Sequence, residues 1–367
     1  MKILIVNGLP PFAWDQAQSL YQAGHDVRCL QIDIRGFWRL RKYGVRRDLR
    51  QGLIWYVSSF PCGPLPYPIY RRILRYAGSV GFKKILKEWR PDLVHAHFSA
   101  NGYAVADTCR ENGIPLVVTE HSSGIQQARS KKELAVAKLA YEKANKVLAV
   151  SSALAKKMNE LFGVSAEIVP NVLDPTVIAG YKAKSRGCRF ISAGNLIKRK
   201  NFALLIRAFS KANIKNATLD IYGSGPLQAG LLCLRDDLGL KDIVTIHPRV
   251  SRDVLFKAYQ ESDFFVLASN NETFGVVYIE AMACGLPVIA TRCGGPEDFL
   301  DETNGLMVPV GDETALAKAL VKITQTPFDR TAITQRAIEK FSPKAIARRL
   351  TSIYRNLLRK PSTSVEG

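Results

Sequence analysis

Two acidic residues, Glu272 and Glu280, flank a segment whose composition predicts an anion-binding turn. The apolar run 264–268 indicates a strand, and the polar loop after it leads into a predicted helix that begins near residues 274–276. The first amides of a helix have no partner within the helix, so they form a ready site for phosphate oxygens. Carboxylates accept hydrogen bonds from sugar hydroxyls. The pattern therefore predicts a site for a diphosphate that joins two hydroxyl-rich rings.

Short, nearly continuous apolar runs alternate with amphipathic segments along the whole chain. Such runs favour strands that are covered on both faces, and their alternation with helices predicts βαβ units. The runs are residues 2–6, 27–32, 53–58, 93–97, 116–120 and 147–150, then 190–193, 219–222, 244–247, 264–268, 288–291 and 306–308. The sequence therefore predicts an α/β protein of two doubly wound, Rossmann-like domains, with a deep cleft at the carboxyl ends of both sheets.

Domain borders follow from the breaks in this pattern. Prolines and a short basic stretch interrupt regular structure within residues 169–187. We expect one domain at residues 1–170, a second at residues 187–342, and a final helix at residues 343–360 that returns to the first domain. The opening apolar run is too short for a secretory signal, and no stretch reaches the roughly 20 apolar residues of a membrane-spanning helix.

Composition restricts the partners and the compartment. The formal net charge of +20 on 367 residues indicates an anionic partner, which is nucleic acid, a phospholipid surface or a phosphorylated substrate. The seven cysteines are scattered, with no C-x-x-C pair and no histidines at ligand spacing. We therefore expect reduced thiols in a cytoplasm and no metal site.

An ordered set of motifs runs through the second half. Seven residues separate Glu272 from Glu280, and AMACGLPVIAT and then GGPE follow them; further motifs lie at residues 194–205, 223–227 and 304–320. This set resembles the family-4 retaining glycosyltransferases of GT-B fold. The resemblance implies that Glu272 contacts the donor sugar and Glu280 the ribose hydroxyls. It also implies that the amides near three consecutive residues receive the diphosphate: Phe274, Gly275 and Val276.

The same resemblance assigns a cation to the diphosphate. The family usually has Gly-Arg-Leu, three residues and then Lys, and here Gly-Asn-Leu precedes Lys200. Lys200 thus stands at the diphosphate position, whereas Asn195 replaces the usual Arg and cannot stabilise the charge of the leaving group. Lys198 and Arg199 are the candidates to compensate, and an exposed run of charges is the alternative.

The base is expected to be read mainly by backbone. In the resembled family the turn that contains Gly225 lies beside the nucleotide, with the base near Arg249 and Val250. The third glycine of a dinucleotide motif is absent, so the turn does not indicate NAD. No Asp-x-Asp motif occurs in the chain. We therefore expect no essential metal and no cofactor besides the nucleotide-sugar co-substrate.

The first half is expected to bind the acceptor, and the second the nucleotide sugar. His121 follows a predicted strand, and the resemblance implies that it contacts the transferred sugar. His97 also ends a strand and is a candidate for the acceptor pocket, whereas His25 reads as structural. The family's Gly-rich first loop is reduced here to Asn-Gly, followed by Leu-Pro-Pro-Phe. Gly8 is therefore a candidate site residue in an altered pocket.

A basic and aromatic stretch lies between Arg35 and Arg90, with fourteen Lys and Arg residues and two acids. Aromatic residues, among them Tyr76, Phe82 and Trp89, are interleaved with the charges. This mixture suits an anionic bilayer, and no nucleic-acid motif accompanies it. We expect peripheral attachment to the inner face of the cell membrane, with no nucleic-acid partner; an ordinary solvated surface is the alternative.

The resulting hypothesis is a hexosyl or N-acetylhexosaminyl transferase that retains anomeric configuration. The donor is a nucleoside-diphosphate sugar, UDP favoured over GDP, and the acceptor is a sugar or lipid-linked hydroxyl in surface polysaccharide or glycolipid assembly. No carboxylate is evidently placed as a covalent nucleophile, which favours displacement on one face of the sugar. Two alternatives stay open: a non-catalytic, membrane-associated scaffold that binds nucleotide, and an epimerase or phosphorylase of the same fold.

Overall fold

The protein is described from a computed structural model, which covers residues 1–7, 12–35, 43–61, 66–128, 130–174, 176 and 188–359. Contacts divide the chain into two compact units. The first is Met1–Val172 together with the segment from Pro343, and the second is Leu173–Ser342. The division after Val172 falls within residues 169–187, where the sequence predicts a border.

The first unit contains one eight-stranded sheet. Its strands are β1 (Lys2–Asn7), β2 (Asp26–Arg35), β3 (Gly44–Arg50), β4 (Leu53–Pro61), β5 (Leu93–His97), β6 (Leu116–Glu120), β7 (Lys146–Ala149) and β8 (Glu167–Ile168). They lie in the order β3-β4-β2-β1-β5-β6-β7-β8, and all neighbours are parallel except the antiparallel pair β3 and β4. The six strands predicted in this half are confirmed, whereas β3 and β8 were not predicted.

Helices cover both faces of this sheet. They are α1 (Phe12–Gln22), α2 (Tyr67–Glu88), α3 (Ser99–Glu111), α4 (Ser123–Gln126), α5 (Lys131–Glu142) and α6 (Ser152–Phe162). α1 packs into a core that contains Ile3 and Cys29. A Cβ added to Gly81 of α2 would meet Leu30 at 2.7 Å. Because Cys29 and Leu30 are consecutive residues of a strand, α1 and α2 lie on opposite faces of the sheet.

The second unit is a six-stranded parallel sheet. Its strands are β9 (Cys188–Ala193), β10 (Ala217–Tyr222), β11 (Val244–His247), β12 (Phe264–Leu267), β13 (Val288–Thr291) and β14 (Gly305–Val308). Its helices are α7 (Phe202–Ala212), α8 (Gln228–Asp237), α9 (Arg252–Glu261), α10 (Val276–Ala283), α11 (Glu313–Gln325) and α12 (Arg330–Phe341). The order β11-β10-β9-β12-β13-β14 is doubly wound. All six predicted strands are present, and the α/β prediction is confirmed.

The strand order places the loops that can bind a ligand. Strand order reverses between β9 and β12, and ligands in such sheets bind outside the carboxyl ends of the strands at this switch point. The loops that leave β9 and β12 therefore lie side by side, and they carry Lys200 and Glu272. In the first unit the order reverses between β1 and β5 in the same way.

A final helix, α13 (Pro343–Arg359), belongs to the first unit. Its apolar face joins the core that holds α1, and it contributes Ile346, Leu350, Ile353 and Tyr354. α13 therefore covers the α1 face of the first sheet. None of the helices in the described part of the chain has the length and apolarity that crossing a bilayer requires.

Candidate functional site

Two cations converge on one buried carboxylate in the second unit. The loop after β9 forms a 3₁₀ turn over Lys198–Lys200. Lys200 Nζ lies 2.5 Å from Glu272 Oε1, and Arg199 Nη1 lies 3.0 Å from Glu272 Oε2. Lys200 is 8% exposed and Glu272 3% exposed, so the ion pair is shielded from water. Two positive charges face one negative charge, which leaves a surplus of positive charge in the pocket.

Glu272 is fixed by its backbone and by a neighbouring hydroxyl. Its amide donates to the carbonyl of Cys293, and its carbonyl accepts from the amide of Gly295, both at 2.9 Å. Ser269 Oγ donates to Oε1 at 2.7 Å. Burial opposes ionisation, but Lys200 and its arginine neighbour outweigh it and hold the pKa of Glu272 below its ordinary value. Glu272 is therefore an ionised hydrogen-bond acceptor at neutral pH.

The basic loop separates into buried and exposed residues. Arg199 also donates from Nη1 to the carbonyl of Asn271 at 2.8 Å. Asn195 and Lys198 are exposed. Of the two residues proposed to compensate for Asn195, the structure thus brings Arg199 to Glu272 and leaves the Lys198 side chain at the surface.

The start of α10 is shaped by a glycine. Gly275 caps the helix with a φ of 92°, a conformation that favours glycine, and an added Cβ would lie 2.5 Å from the Tyr278 ring. Phe274 is buried, and Val276 is the first helical residue. Glu280 is 6% exposed and follows Val276 by four residues, so both lie on one face of α10. The helix start therefore presents its first amides beside two acidic positions.

The turn predicted to lie beside the nucleotide packs against the loop after β9. The Leu196 amide donates to the carbonyl of Ser224 at 3.1 Å, and a Cβ added to Gly225 would meet the Leu196 carbonyl oxygen at 2.5 Å. The Arg249 amide donates to Ser224 Oγ at 3.0 Å, and Val250 follows it. The structure therefore gathers these residues at the carboxyl edge of one sheet. Their roles toward the nucleotide stay predictions.

Three buried histidines form a connected cluster in the first unit. His97 Nδ1 lies 3.0 Å from His121 Nε2, and the rings of His95 and His97 stack with centroids 4.5 Å apart. His95 is held at both nitrogens, by Tyr354 Oη of α13 and by Thr119 Oγ1, each at 2.6 Å. His121 thus follows β6 as predicted, and His97 orients it.

Burial keeps this cluster neutral. It lowers the pKa of His95 to about 3 and that of His121 to about 4. The pKa of His97 is also well below its usual range, first because of burial and then because of the other two histidines. A neutral imidazole offers one donor and one acceptor. At neutral pH the His121 side chain therefore offers hydrogen bonds rather than a positive charge.

A buried carboxylate that the sequence analysis missed organises the loops around His121. Glu120 accepts from Tyr141 Oη at 2.6 Å and from the amide of Ser99 at 3.1 Å. It also accepts from the amides of His121 at 2.9 Å and Ser122 at 2.8 Å. A carboxylate at the end of an apolar strand, directly before a candidate histidine, is the signal that could have identified it.

Phe98 adds a strained backbone beside His121. Its φ is 67°, which is unusual for a bulky residue, and its ring centroid lies 5.1 Å from that of His121. Such conformations cost about 1–3 kcal/mol and cluster at functional sites. No feature of the sequence could have indicated this backbone geometry.

The remaining predictions concern Gly8, His25, the cysteines and a metal site. Gly8 lies outside the described residues. His25 is 9% exposed and bonds the hydroxyl of Thr351 at 2.8 Å, in keeping with a structural role. The cysteines of the described residues are free thiols. Within that part of the chain, no group of three or more His, Cys, Asp or Glu side chains is arranged to hold a metal ion.

Curated relatives are glycosyltransferases. The chain is 31% identical over 178 residues to a D-inositol 3-phosphate glycosyltransferase of Saccharomonospora viridis, covering 46% of this chain and 41% of the relative. It is 33% identical over 177 residues to the lipopolysaccharide core biosynthesis glycosyltransferase LpsE of Rhizobium meliloti, covering 46% and 48%. The chain thus spans about half the length of these relatives.

Solved structures match almost the entire chain. Sucrose-phosphate synthase from Thermosynechococcus elongatus has a TM-score of 0.77 at 22% identity, and the match covers 97% of this chain and 98% of that one. Anabaena HepE in complex with UDP and glucose has a TM-score of 0.73 at 20% identity, with 97% and 100% covered. At these identities the likeness establishes the fold, which is the predicted GT-B fold.

Two family models adjoin along the chain. The model described as Glycosyltransferase Family 4 matches residues 6–177, and the model described as Glycosyl transferases group 1 matches residues 178–340. The junction lies close to the boundary between the two units, and both models describe one kind of protein. The chain therefore belongs to the family-4, group 1 glycosyltransferases.

Proposed function

We propose that the protein is a retaining glycosyltransferase that moves a sugar from a nucleoside-diphosphate sugar, UDP rather than GDP, to an acceptor hydroxyl. The observation that carries this proposal is the buried contact of Lys200 and Arg199 with Glu272, beside the start of α10. A diphosphate requires positive charge, and a sugar requires hydrogen-bond acceptors. This pocket offers both.

The chemistry assigned to the pocket is charge stabilisation. As the glycosidic bond breaks, the leaving diphosphate gains negative charge, which Lys200 and the first amides of α10 are placed to stabilise. Glu272 orients the Lys200 ammonium and accepts hydrogen bonds from the donor sugar. Glu280 is assigned to the ribose hydroxyls. Lys200 and the first amides of α10 supply the positive charge that a metal ion supplies in other transferases. We therefore propose that no metal is essential.

The acceptor side is assigned to the first unit. A neutral His121 exchanges hydrogen bonds with the transferred sugar without adding positive charge beside the reacting carbon. We propose displacement on one face of the sugar, in which the departing diphosphate takes the proton of the acceptor hydroxyl. The bond from the anomeric carbon to the acceptor oxygen forms on the face from which the diphosphate oxygen leaves as its bond breaks, so configuration is retained.

The proposed sugar is a hexose or N-acetylhexosamine, and the proposed pathway is the assembly of surface polysaccharide or glycolipid. The name of the Rhizobium relative, a lipopolysaccharide core transferase, supports the pathway. The complex of the Anabaena protein with UDP and glucose supports the donor class.

Transfer assays test this function. The protein is incubated with UDP-glucose, UDP-N-acetylglucosamine or GDP-mannose, with and without a panel of sugar and glycolipid acceptors. We expect release of UDP that depends on acceptor, a product with retained configuration, and equal rates in excess chelator. Loss of activity in chelator that manganese restores would contradict metal independence. Conversion without acceptor would indicate an epimerase, and binding without transfer a scaffold.

We also propose that the basic face of α2 and β3 docks on the inner, anionic surface of the cell membrane. Tyr76 is 60% exposed and Leu49 75% exposed, and Arg72 and Lys84 are exposed between apolar positions. The face is smaller than the sequence indicates. Phe82 is buried in the core. Trp89 is buried, and the basic residues 39, 41 and 42 of the stretch lie outside the described residues.

Vesicle sedimentation tests this face. We expect binding to vesicles that contain phosphatidylglycerol, weak binding to phosphatidylcholine alone, and release at high salt. Each cation near such a surface contributes about 1 kcal/mol, so Arg72→Glu with Tyr76→Ser should weaken binding about tenfold or more. Lys318→Glu, an exposed charge reversal in the second unit, is the matched control. Equal weakening by both variants would contradict a specific face.

A further inference from the structure

A groove of about 720 Å³ runs along α13, where that helix packs against the end of α1. Four cationic side chains of α13 line it, namely Lys344, Arg348, Arg355 and Arg359. Their spacings of four and seven residues repeat the period of a helix, so they form one stripe on its outer face. Between the first and the last of them the helix rises about 22 Å. The groove is therefore long and lined by charges of one sign.

Nothing negative balances this stripe within the described residues. α13 contains no Asp or Glu, and no acidic residue lines the groove. None of the four cations forms an ion pair with a described carboxylate, whereas other exposed basic residues do, such as Arg75 with Asp107 at 3.1 Å. Clustered cations repel one another, and an anionic ligand would relieve that repulsion.

Neutral donors complete the lining. Gln22, at the end of α1, and Asn356 present side-chain amides, and Ser352 presents a hydroxyl. His25 forms part of the wall and is held by Thr351 at 2.8 Å. Guanidinium groups bind phosphate oxygens in a bidentate manner, and amides and hydroxyls add further hydrogen bonds. The set of donors therefore suits phosphate groups.

The groove is separate from the sites described above. It lies on the face of the first sheet that α1 and α13 cover, whereas α2 covers the opposite face. Lys200 and Glu272 belong to the other unit. The groove is also a poor match for a flat bilayer, because it is concave and α13 exposes little apolar surface, with Leu358 at 38% its most exposed large hydrophobic residue.

We propose that this groove binds a linear oligophosphate, an anion that carries several phosphate groups in a row. The length of the stripe selects a chain of phosphates over a single one, because one phosphate reaches only one or two of the four cations. The site uses none of the residues assigned to sugar transfer. Binding at the groove can therefore be tested separately from the proposed function.

Calorimetric titration with short-chain polyphosphate, with inorganic phosphate as the comparison, tests the site. We expect polyphosphate to bind more tightly than phosphate and its affinity to fall as salt is raised. Arg348→Ala combined with Arg355→Ala should weaken binding about tenfold, since two charge-assisted contacts are removed. Arg349→Ala is the matched control, because Arg349 is exposed on the same helix but does not line the groove. Lys200→Ala should bind as the unaltered protein does, which excludes the donor site.

Three results would overturn the proposal. The first is no binding, and the second is equal weakening by the single variants Arg348→Ala and Arg349→Ala, which would indicate general attraction to a basic protein. The third is binding of phosphatidylglycerol vesicles through the groove with none of polyphosphate. Thermal melts verify that each variant is folded, and Arg348→Gln alone replaces the double variant if the latter unfolds.

Discussion

Lys200→Met is expected to lower kcat for sugar transfer by about 100- to 1,000-fold, the loss typical for removal of one group that stabilises charge in a transition state. The ammonium is buried and is held on Glu272 at 2.5 Å, so it is already oriented before a donor binds. Removing it leaves the departing diphosphate with less positive charge when its own charge is greatest. The effect is therefore expected mainly in kcat rather than in KM.

Stability is the complication in that experiment. Removing one partner of a buried ion pair commonly costs about 3–5 kcal/mol because the other charge is stranded. Arg199 still pairs with Glu272 at 3.0 Å, so we expect a smaller loss and a folded protein. Lys198→Met is the matched control, since Lys198 is an exposed neighbour in the same turn. A folded Lys200→Met protein with nearly normal kcat would remove Lys200 from the mechanism.

The free energy of unfolding of the first unit is expected to fall steeply as pH drops from about 6.5 toward 4. His95, His97 and His121 have pKa values lowered by burial, so they stay neutral in the folded protein while the unfolded chain protonates near 6.5. Stability is therefore full above pH 6.5 and is lost as pH falls through this window. Each histidine contributes about 1.4 kcal/mol per pH unit.

Tryptophan fluorescence during denaturant unfolding measures this, because Trp14, Trp55 and Trp89 lie in the first unit and residues 173–342, which form the second, contain no tryptophan. His25, whose pKa burial also lowers, acts in the same direction. Asp48 and Asp107 have lowered pKa values and titrate below the window. Nitrogen NMR shifts of neutral imidazole at pH 5.5 would corroborate the result. A flat stability profile from pH 6.5 to 4.5 would contradict it.

The sequence predicts those strands of the fold that contain a continuous run of apolar residues. Buried parallel strands need such runs, so the predicted strands of both sheets were found. β3 was missed because its sequence, GVRRDLR, lies at a sheet edge and has no apolar run. β8 was missed because it has only two residues, which pair with β7 alone. Neither strand has a pattern of apolar residues that predicts it, because each forms only by pairing with its neighbour, β3 with β4 and β8 with β7.

The candidate site likewise has a part that the sequence predicts and a part that it does not. Strand order brings the loops after β9 and β12 together, so a prediction that Lys200 and Glu272 share a pocket needs only the Rossmann pattern. The contact of Arg199 with Glu272 depends on the details of a 3₁₀ turn and could not be predicted. The positive φ of Phe98 has no local signal in the sequence either. The assignments of Glu280, Arg249 and Val250 to parts of the nucleotide stay predictions, because they concern contacts with a ligand.

The position of α13 has a consequence for biosynthesis. A ribosome delivers β1 and α1 first and α13 after the whole second unit, yet all three share one core. The second unit is contiguous in the chain and can close as soon as it emerges, whereas the first must wait with part of its apolar surface exposed. The first unit is therefore synthesised first but completed last, and during translation it is the half that exposes apolar surface to aggregation.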